Sequence, residues 1–218
     1  MSKIATLGEI SDISLGRDFR GSIKADKEGD IKVLQPKEVF SESIDDAIFV
    51  KREKVGVLQD RLLRSGDILC SIRHKFVSMV VKEEWLTGPV IANSGLFIIR
   101  LNSTEYLPEY VSAFINCFFE RQEFQDMLEK QEQEKIKEGK KPSVRLLTKD
   151  YLSSVSVPKK SIEEQRKIVA EIRKAQSNFR KLTDSLNEEK KRIEDKYKQA
   201  TKDYCMGMEL VYNSIVAE

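Results

Sequence analysis

Basic residues concentrate in a segment that contains almost no apolar side chains, residues 129–146. Lysines in such a segment can neutralise phosphates, and an arginine can make a bidentate contact to guanine. Gly139 and Pro142 would shape its backbone as a loop. The alternative is a solvated helix end followed by an exposed loop that binds nothing. The candidate nucleic-acid contacts in this segment are Lys137, Lys140, Lys141 and Arg145.

Two further basic segments are candidates for the same role. Arg73, His74 and Lys75 lie between two predicted strands. A hairpin tip of this kind suits contact with phosphates or base edges, although an ordinary polar hairpin fits equally well. Arg17 and Arg20 lie in a glycine-punctuated stretch whose neighbouring carboxylates offset much of the charge. We therefore rank Arg17 and Arg20 below the other two segments.

Signatures of catalysis are missing from the sequence. An adenine methyltransferase needs a glycine-rich cofactor loop and an Asn/Asp-Pro-Pro-aromatic motif, and a translocating ATPase needs G-x-x-x-x-G-K-[ST]; none of these occurs. Acid-x-Lys triplets of the kind that a metal-dependent nuclease uses are present, but 34% charged residues produce them by chance. The single histidine, His74, supports neither a Ser/His/Asp set nor a zinc site. We predict no catalytic residue and no metal ligand in this chain.

The balance of charge excludes a protein that coats DNA through its net charge. Lys and Arg number 38 against 36 Asp and Glu, which gives a net charge of +2. Any affinity for nucleic acid must therefore come from the local placement of basic residues. The hydrophobic fraction of 40% is sufficient for a buried core.

Cysteine usage and the N-terminal residues indicate a cytoplasmic protein. The three cysteines lack a C-x-x-C spacing and suit reduced, mostly buried thiols. Residues 1–9 lack the apolar run of a signal peptide, and no segment approaches a membrane-spanning length. The three cysteines are Cys70, Cys117 and Cys205.

The elements that must position the basic segments form a predicted mixed α/β domain. Short β-rich runs are bounded by turn signals such as Ser65-Gly66-Asp67. Pro108 begins a predicted helix whose apolar face should pack on the sheet. Residues 16–30 predict a loop, and Asn93-Ser94-Gly95 predicts a turn whose amide could also read adenine. The predicted strands are residues 31–34, 47–50, 68–72, 76–81 and 96–101.

One long amphipathic helix is predicted to follow this domain. A short strand ends at Pro158, Ser161 then offers an N-cap oxygen, and Glu164 completes a capping box. Gly and Pro are absent between residues 161 and 203, so we expect no kink. Apolar residues then recur at alternating steps of four and three, which is the pattern of a coiled-coil seam. The seam residues are Ile168, Ile172, Phe179, Leu182, Leu186 and Ile193.

An apolar stripe on a long helix is expected to be covered by a partner. Antiparallel pairing with an equivalent helix is the favoured interpretation, and folding back onto its own domain is the alternative. After Gly207, a short apolar tail is expected to turn back onto a domain. The predicted fold class is α+β, with a globular mixed α/β domain in residues 1–160 and a long C-terminal coiled-coil helix with its tail in residues 161–218.

Four short motifs, in this order and spacing, resemble the specificity subunits of type I restriction–modification systems. The strand that ends at Pro158, followed by Glu164-Gln165 and Ile168-Val169, is similar to the end of a target-recognition domain and the start of its spacer helix. The family commonly has two prolines before the helix, whereas here the second position is Lys159. The other motifs are Gly66-Asp67-Ile68-Leu69, Pro108-x-Tyr110 and Leu147-x-x-Asp150-x-Leu152.

The resemblance implies a domain that reads one short half-site in double-stranded DNA and a helix that fixes the distance to a second half-site. It also implies two kinds of partner: modification (methyltransferase) subunits that carry S-adenosylmethionine, and restriction subunits that use ATP and Mg. No cofactor is expected in this chain. Typical members carry two recognition domains and two helices, and 218 residues hold one of each. A homodimer through the long helix would rebuild the usual layout.

Two other functions are compatible with the sequence. A scaffold that does not bind DNA would dimerise through the coiled coil and present a protein-binding face, and the near-neutral charge favours it. A metal-dependent nuclease is a weaker alternative. The basic segments and the junction at Pro158 favour DNA recognition over both.

Overall fold

The computed structural model divides the chain into two compact units, residues 1–169 (unit 1) and residues 170–218 (unit 2). None of the helices in the described part of the chain is both long enough and apolar enough to cross a membrane. The structure describes residues 4–19, 21, 23–56, 61–73, 75–137 and 146–216, with the backbone alone at positions 135, 180 and 209–216.

Nine β-strands and six α-helices occur in the described residues. The strands are β1 Ile4–Thr6, β2 Ser11–Leu15, β3 Ile31–Leu34, β4 Ile48–Val50, β5 Ile68–Ser71, β6 Ser78–Val80, β7 Val90–Ala92, β8 Leu96–Leu101 and β9 Ser156–Pro158. The helices are α1 Leu7–Ile10, α2 Pro36–Ser41, α3 Pro108–Phe119, α4 Gln122–Lys137, α5 Lys149–Ser153 and α6 Ile162–Val216.

A four-stranded antiparallel sheet of order β2-β8-β5-β6 forms the centre of unit 1. Successive residues of a strand point to opposite faces, and here both faces are buried. Ile68 and Cys70 pack with α3 in one core cluster, whereas Leu69 packs in another cluster with Trp85 and residues of β7. Burial on both faces explains why β5 and β8 are continuous apolar runs rather than alternating ones.

Two smaller sheets flank this centre. In the sheet of order β4-β3-β7, β3 pairs with β4 antiparallel and with β7 parallel. In the other, β1 pairs with β9 antiparallel, so Ile4 lies opposite Pro158. Pro158 is the last residue of its strand, as expected for a residue without a backbone donor. The β1–β9 pair therefore ties the beginning of the chain to the residues that precede α6.

The Gly66-Asp67 motif forms a turn locked by a buried ion pair. Gly66 has a φ of +84°, a conformation that L side chains rarely adopt. The Asp67 carboxylate accepts hydrogen bonds from the Arg64 backbone N–H at 2.8 Å and from two guanidinium nitrogens of Arg100 at 2.8 and 2.6 Å. These side-chain hydrogen bonds raise the pKa of Arg100. The motif thus joins the turn before β5 to the neighbouring strand β8.

The start of α6 belongs to unit 1. The Ser161 hydroxyl accepts from the Glu164 backbone N–H at 3.2 Å, and the Glu164 carboxylate accepts from the Ser161 N–H at 3.0 Å, which confirms the predicted capping box. These hydrogen bonds lower the pKa of Glu164. Ile168 and Val169 pack against the core of the domain. Ile168, which the sequence assigned to the coiled-coil seam, therefore already has a partner in its own domain.

Gln165 fastens this first turn of α6 to the loop after β8. Its side chain is fully buried. The side-chain amide donates to the carbonyls of Glu105 at 2.6 Å and Lys160 at 2.9 Å, and its oxygen accepts from the Leu107 N–H at 2.8 Å. Nearby, the Tyr110 hydroxyl donates to the Pro158 carbonyl at 3.0 Å. The polar residues of the junction motif therefore hold the start of α6 against the domain through hydrogen bonds.

Most predicted elements are confirmed, with two corrections. The strands at 31–34 and 96–101 match the prediction, and α3 buries its apolar face in the core as expected. The tail after Gly207 does not turn back, because α6 continues through Gly207 to Val216; one glycine costs a helix only about 1 kcal/mol. Among the cysteines, Cys70 is buried, which raises its pKa, but Cys117 and Cys205 are exposed.

Unit 2 is part of one continuous helix, since α6 spans 55 residues, or about 80 Å. Its apolar side chains are largely exposed, for example Phe179 at 70% and Leu186 at 70%. Ion pairs at i,i+4 and i,i+3 spacing, such as Lys190–Glu194 and Arg192–Glu189, lie on the same helix. The exposed apolar stripe of unit 2 consists of Phe179, Leu182, Leu186, Ile193, Tyr197 and Tyr204.

Candidate nucleic-acid interface

Loops from separate parts of the sequence converge at one end of the four-stranded sheet. The registers place Leu15 of β2 opposite Phe97 of β8, Phe97 opposite Cys70 of β5, and Cys70 opposite Ser78 of β6. At this level β2 and β5 are ending while β8 and β6 are beginning. The described residues 16–19, 72–73, 75–77 and 93–95 therefore leave or enter the sheet at the same end, which we call the loop end.

The hairpin between β5 and β6 presents two exposed cations. Ser71 holds it closed: its backbone N–H donates to the Val77 carbonyl at 3.0 Å, and its hydroxyl donates to the Lys75 carbonyl. Arg73 and Lys75 are exposed. The Lys75 ammonium lies 5.8 Å from the centre of the Phe40 ring. Two exposed cations beside such a turn can contact phosphates or base edges.

The end of the first basic segment lies beside this hairpin. Arg73 forms an isolated antiparallel bridge with Leu146, and the Leu147 N–H donates to the Ile72 carbonyl at 3.1 Å. Leu146 is the residue directly after Arg145 in the sequence. Two segments separated by about seventy residues in the sequence therefore meet at the loop end.

The third segment lies on the other side of the same loop end. Arg17 forms an isolated parallel bridge with Asn93, and its carbonyl accepts from the Ser94 N–H at 2.8 Å. The Gly95 carbonyl in turn accepts from the Ile72 N–H at 3.2 Å. A backbone network thus runs from Arg17 through the 93–95 turn to the hairpin. The Asn93 side chain accepts from the Gly95 N–H at 3.0 Å, which confirms the turn predicted there.

The remaining candidates from the sequence are not placed at the loop end by any contact of the described residues. Lys137 is exposed at the last residue of α4, whose Phe124 and Leu128 are buried in the core. This agrees with a solvated helix end at the start of the first basic segment. The candidates that lie outside the described residues are Arg20, His74, Lys140, Lys141 and Arg145.

Two contributors to the loop end were missed by sequence reasoning. Gly16 lies so close to the 93–95 turn that a Cβ on it would be 2.1 Å from the Asn93 carbonyl oxygen. Arg61 lies on the edge of a cavity beside the loop end, in a segment for which no strand was predicted. The only available signal for Gly16 was the glycine itself, directly after the alternating residues Asp12-Ile13-Ser14-Leu15.

Metal binding finds no support in the part of the chain that the structure describes. No group of three or more His, Cys, Asp or Glu side chains that could hold a metal ion occurs among those residues. The described side chains at the loop end include the cations Arg17, Arg73 and Lys75, the amide Asn93 and the carboxylate Asp18. Such a set is suited to contact an anionic polymer rather than to coordinate a cation.

Comparison with solved structures identifies the fold. The HsdS subunit from Thermoanaerobacter tengcongensis matches with a TM-score of 0.50 and 22% identity over 81% of this chain. A second match, with a TM-score of 0.51 and 19% identity over 83% of this chain, comes from work on complex assembly and conformational transition of the type I R-M system. The chain has the α/β domain and long C-terminal helix of type I restriction–modification specificity subunits.

The match covers only part of those proteins. This chain spans 37% of the length of the first solved structure and 39% of the second. No protein-family model and no curated protein sequence matches it.

Proposed function

We propose that this protein is the DNA sequence-recognition subunit of a type I restriction–modification complex and that its domain reads one half of a bipartite target. The observation that carries the proposal is that Arg17, the Arg73–Lys75 hairpin and Leu146, the last residue of the first basic segment, meet at one end of a sheet in a domain of the HsdS fold. Neither feature alone would be sufficient, because basic loops are common and a fold supports many functions.

The position of the first turn of α6 supports this proposal. Gln165 bonds to Glu105 and Leu107, which follow the end of β8 at Leu101. That end of the sheet is opposite to the loop end. The first turn of α6, within unit 1, therefore lies away from the candidate DNA contacts of the loop end.

We infer that two copies pair through the exposed apolar stripe. Each copy would contribute one domain and one helix, and an isologous two-fold dimer is the commonest closed arrangement. The DNA target would then be an inverted repeat whose unread spacer is set by the helices. The assembled complex would include methyltransferase subunits with S-adenosylmethionine and restriction subunits with ATP and Mg, whereas this chain would be non-catalytic and hold no cofactor.

A dimeric scaffold that does not bind DNA is the second candidate, favoured by the exposed stripe together with the net charge of +2. Pairing of helices is common to both functions and does not separate them. Binding to duplex DNA separates them directly.

The double variant Arg73→Ala/Lys75→Ala tests the loop end. It should bind all duplexes more weakly and flatten the dependence of log affinity on log salt concentration by about one unit for each lost phosphate contact. The measurement is fluorescence anisotropy with labelled duplexes at several salt concentrations.

The matched control is Arg64→Ala/Lys82→Ala, which removes the same charge beside the Gly66 turn and after β6, at the opposite end of the sheet. Equal losses in both variants would indicate a general charge effect. Unchanged affinity and salt slope in Arg73→Ala/Lys75→Ala would remove the hairpin from the interface.

A further inference from the structure

A cavity of about 180 Å³ beside the loop end contains two arginines. The described residues that line it include no carboxylate. Two arginines on the wall of one cavity leave a positive charge there that no described lining residue balances. The cavity is lined by Ser14, Leu15, Gly16, Arg17, Arg61, Ala92 and Ile98.

The fold places both arginines beside Ala92. The Arg17 backbone N–H donates to the Ala92 carbonyl at 2.7 Å. On the same edge of β7, Leu62 forms an antiparallel bridge with Ile91, which brings Arg61 opposite Ala92 in the same register. The two arginines therefore lie along the same edge of β7, the edge that does not pair with β3.

The segment that carries Arg61 is held by the buried ion pair of the Gly66-Asp67 turn. A guanidinium nitrogen of Arg100, paired with Asp67, also donates to the Leu62 carbonyl at 3.1 Å. The Leu63 N–H donates to the Val90 carbonyl at 2.9 Å. The position of Arg61 is thus set by the neighbouring sheet rather than by a free loop.

Arg17 offers an unused donor at this place. Its Nε is buried and has no hydrogen-bond partner among the described residues. Buried polar groups are nearly always paired, so an orphan donor in a cavity points to a missing acceptor. The paired N–H donors of a guanidinium group match the oxygens of a phosphate group better than they match a single neutral acceptor.

We propose that this cavity binds a phosphate group between Arg17 and Arg61. Resting on the function proposed above, the phosphate is one of the DNA backbone that runs past the loop end. Such a contact fixes the position of the domain on the duplex and carries no sequence information itself. Arg61 thereby becomes a positioning contact for DNA, although it lies outside the three basic segments.

The cavity is tested first without DNA. Inorganic phosphate is titrated into the full chain while the arginine side-chain N–H signals are followed by NMR, with sodium chloride of equal ionic strength as the reference. We expect saturable shifts of the Arg17 Nε–H signal in the native chain and in Arg64→Ala, and their loss in Arg61→Ala. A native chain that shows no shift beyond that of the chloride reference would overturn the site.

The source of the phosphate is tested with duplex DNA. Arg61→Ala should lower affinity on the order of tenfold and flatten the salt slope by about one unit, with the ranking of sequences preserved. Arg64→Ala, with the same loss of charge, should match the native chain. If the native chain binds phosphate but Arg61→Ala binds DNA as tightly as the native chain does, the assignment of the phosphate to the DNA backbone is overturned. A native chain that binds phosphate but no DNA would contradict the function proposed above and leave the cavity as a site for free phosphate.

Discussion

Replacing Asp67 with Ala should lower the free energy of unfolding of the domain by about 3 kcal/mol. The carboxylate is 2% exposed and its loss leaves the Arg100 guanidinium, which is 29% exposed, without its partner. Removing one member of a buried ion pair costs roughly 3–5 kcal/mol, and partial exposure of Arg100 places the effect at the lower end. The Arg64 N–H would also lose its acceptor, so the turn at Gly66 should loosen.

Urea unfolding followed by the fluorescence of Trp85 measures this effect. Trp85 is the only tryptophan and is buried in a core cluster of unit 1, so its signal reports on the domain. Asp46→Ala is the matched control, because Asp46 is exposed. Adding Arg100→Leu to Asp67→Ala should recover part of the loss, since it removes the unpaired charge. An Asp67→Ala variant as stable as Asp46→Ala would contradict a structural role for the motif.

Introducing glutamate at both Phe179 and Leu186 should convert a dimer into a monomer. Each side chain is 70% exposed in the single chain, and both lie on the exposed apolar stripe. In a paired seam, two carboxylates on each helix would be buried against apolar side chains without partners. Light scattering at micromolar protein concentration should therefore give the mass of a dimer for the native chain and of a monomer for the variant.

The control for this variant adds the same charge outside the stripe, as Ser177→Glu/Asn187→Glu. Both positions are exposed and lie outside the a and d positions of the heptad pattern. The control should remain a dimer. A native chain that has the mass of a 25.1 kDa monomer would sink the homodimer, as would a dimer that survives the Phe179 and Leu186 changes.

Strands and helix ends were predicted correctly where residue types, turn residues and caps in one segment all favour the same element. β3 and β8 match because β-branched and aromatic runs there are bounded by turn residues, and the start of α6 matches because its capping box is complete. β7 was missed: Val90–Ala92 has three residues and follows Pro89, which offers too short a pattern to separate from a loop.

The candidate site could be predicted as segments but not as a surface. The convergence of Arg17, Arg73 and Leu146 depends on strand order and register, and periodicity specifies neither. Arg61 could not be identified, because its place opposite Ala92 arises from a bridge between the 61–63 segment and β7. Long-range pairing of this kind leaves no local mark in the sequence.

The motifs behind the family resemblance report on structure rather than on target choice. Asp67, Tyr110, Leu152 and Gln165 are buried, and the polar groups among them fasten a turn or the start of α6. Arg17, Arg73 and Lys75, the candidate contacts placed at the loop end, belong to none of those motifs. These motifs therefore report on the fold and carry no information on a DNA sequence.

Selection of bound duplexes from a random pool, followed by sequencing, tests the central claim most directly. The native chain is incubated with the pool near physiological salt concentration, and the bound fraction is compared with the input. DNA recognition by a two-fold dimer predicts enrichment of an inverted repeat with two short half-sites and an unread spacer of fixed length. A bound fraction with the same sequence distribution as the input would contradict sequence recognition, and the absence of any bound duplex would contradict DNA binding itself.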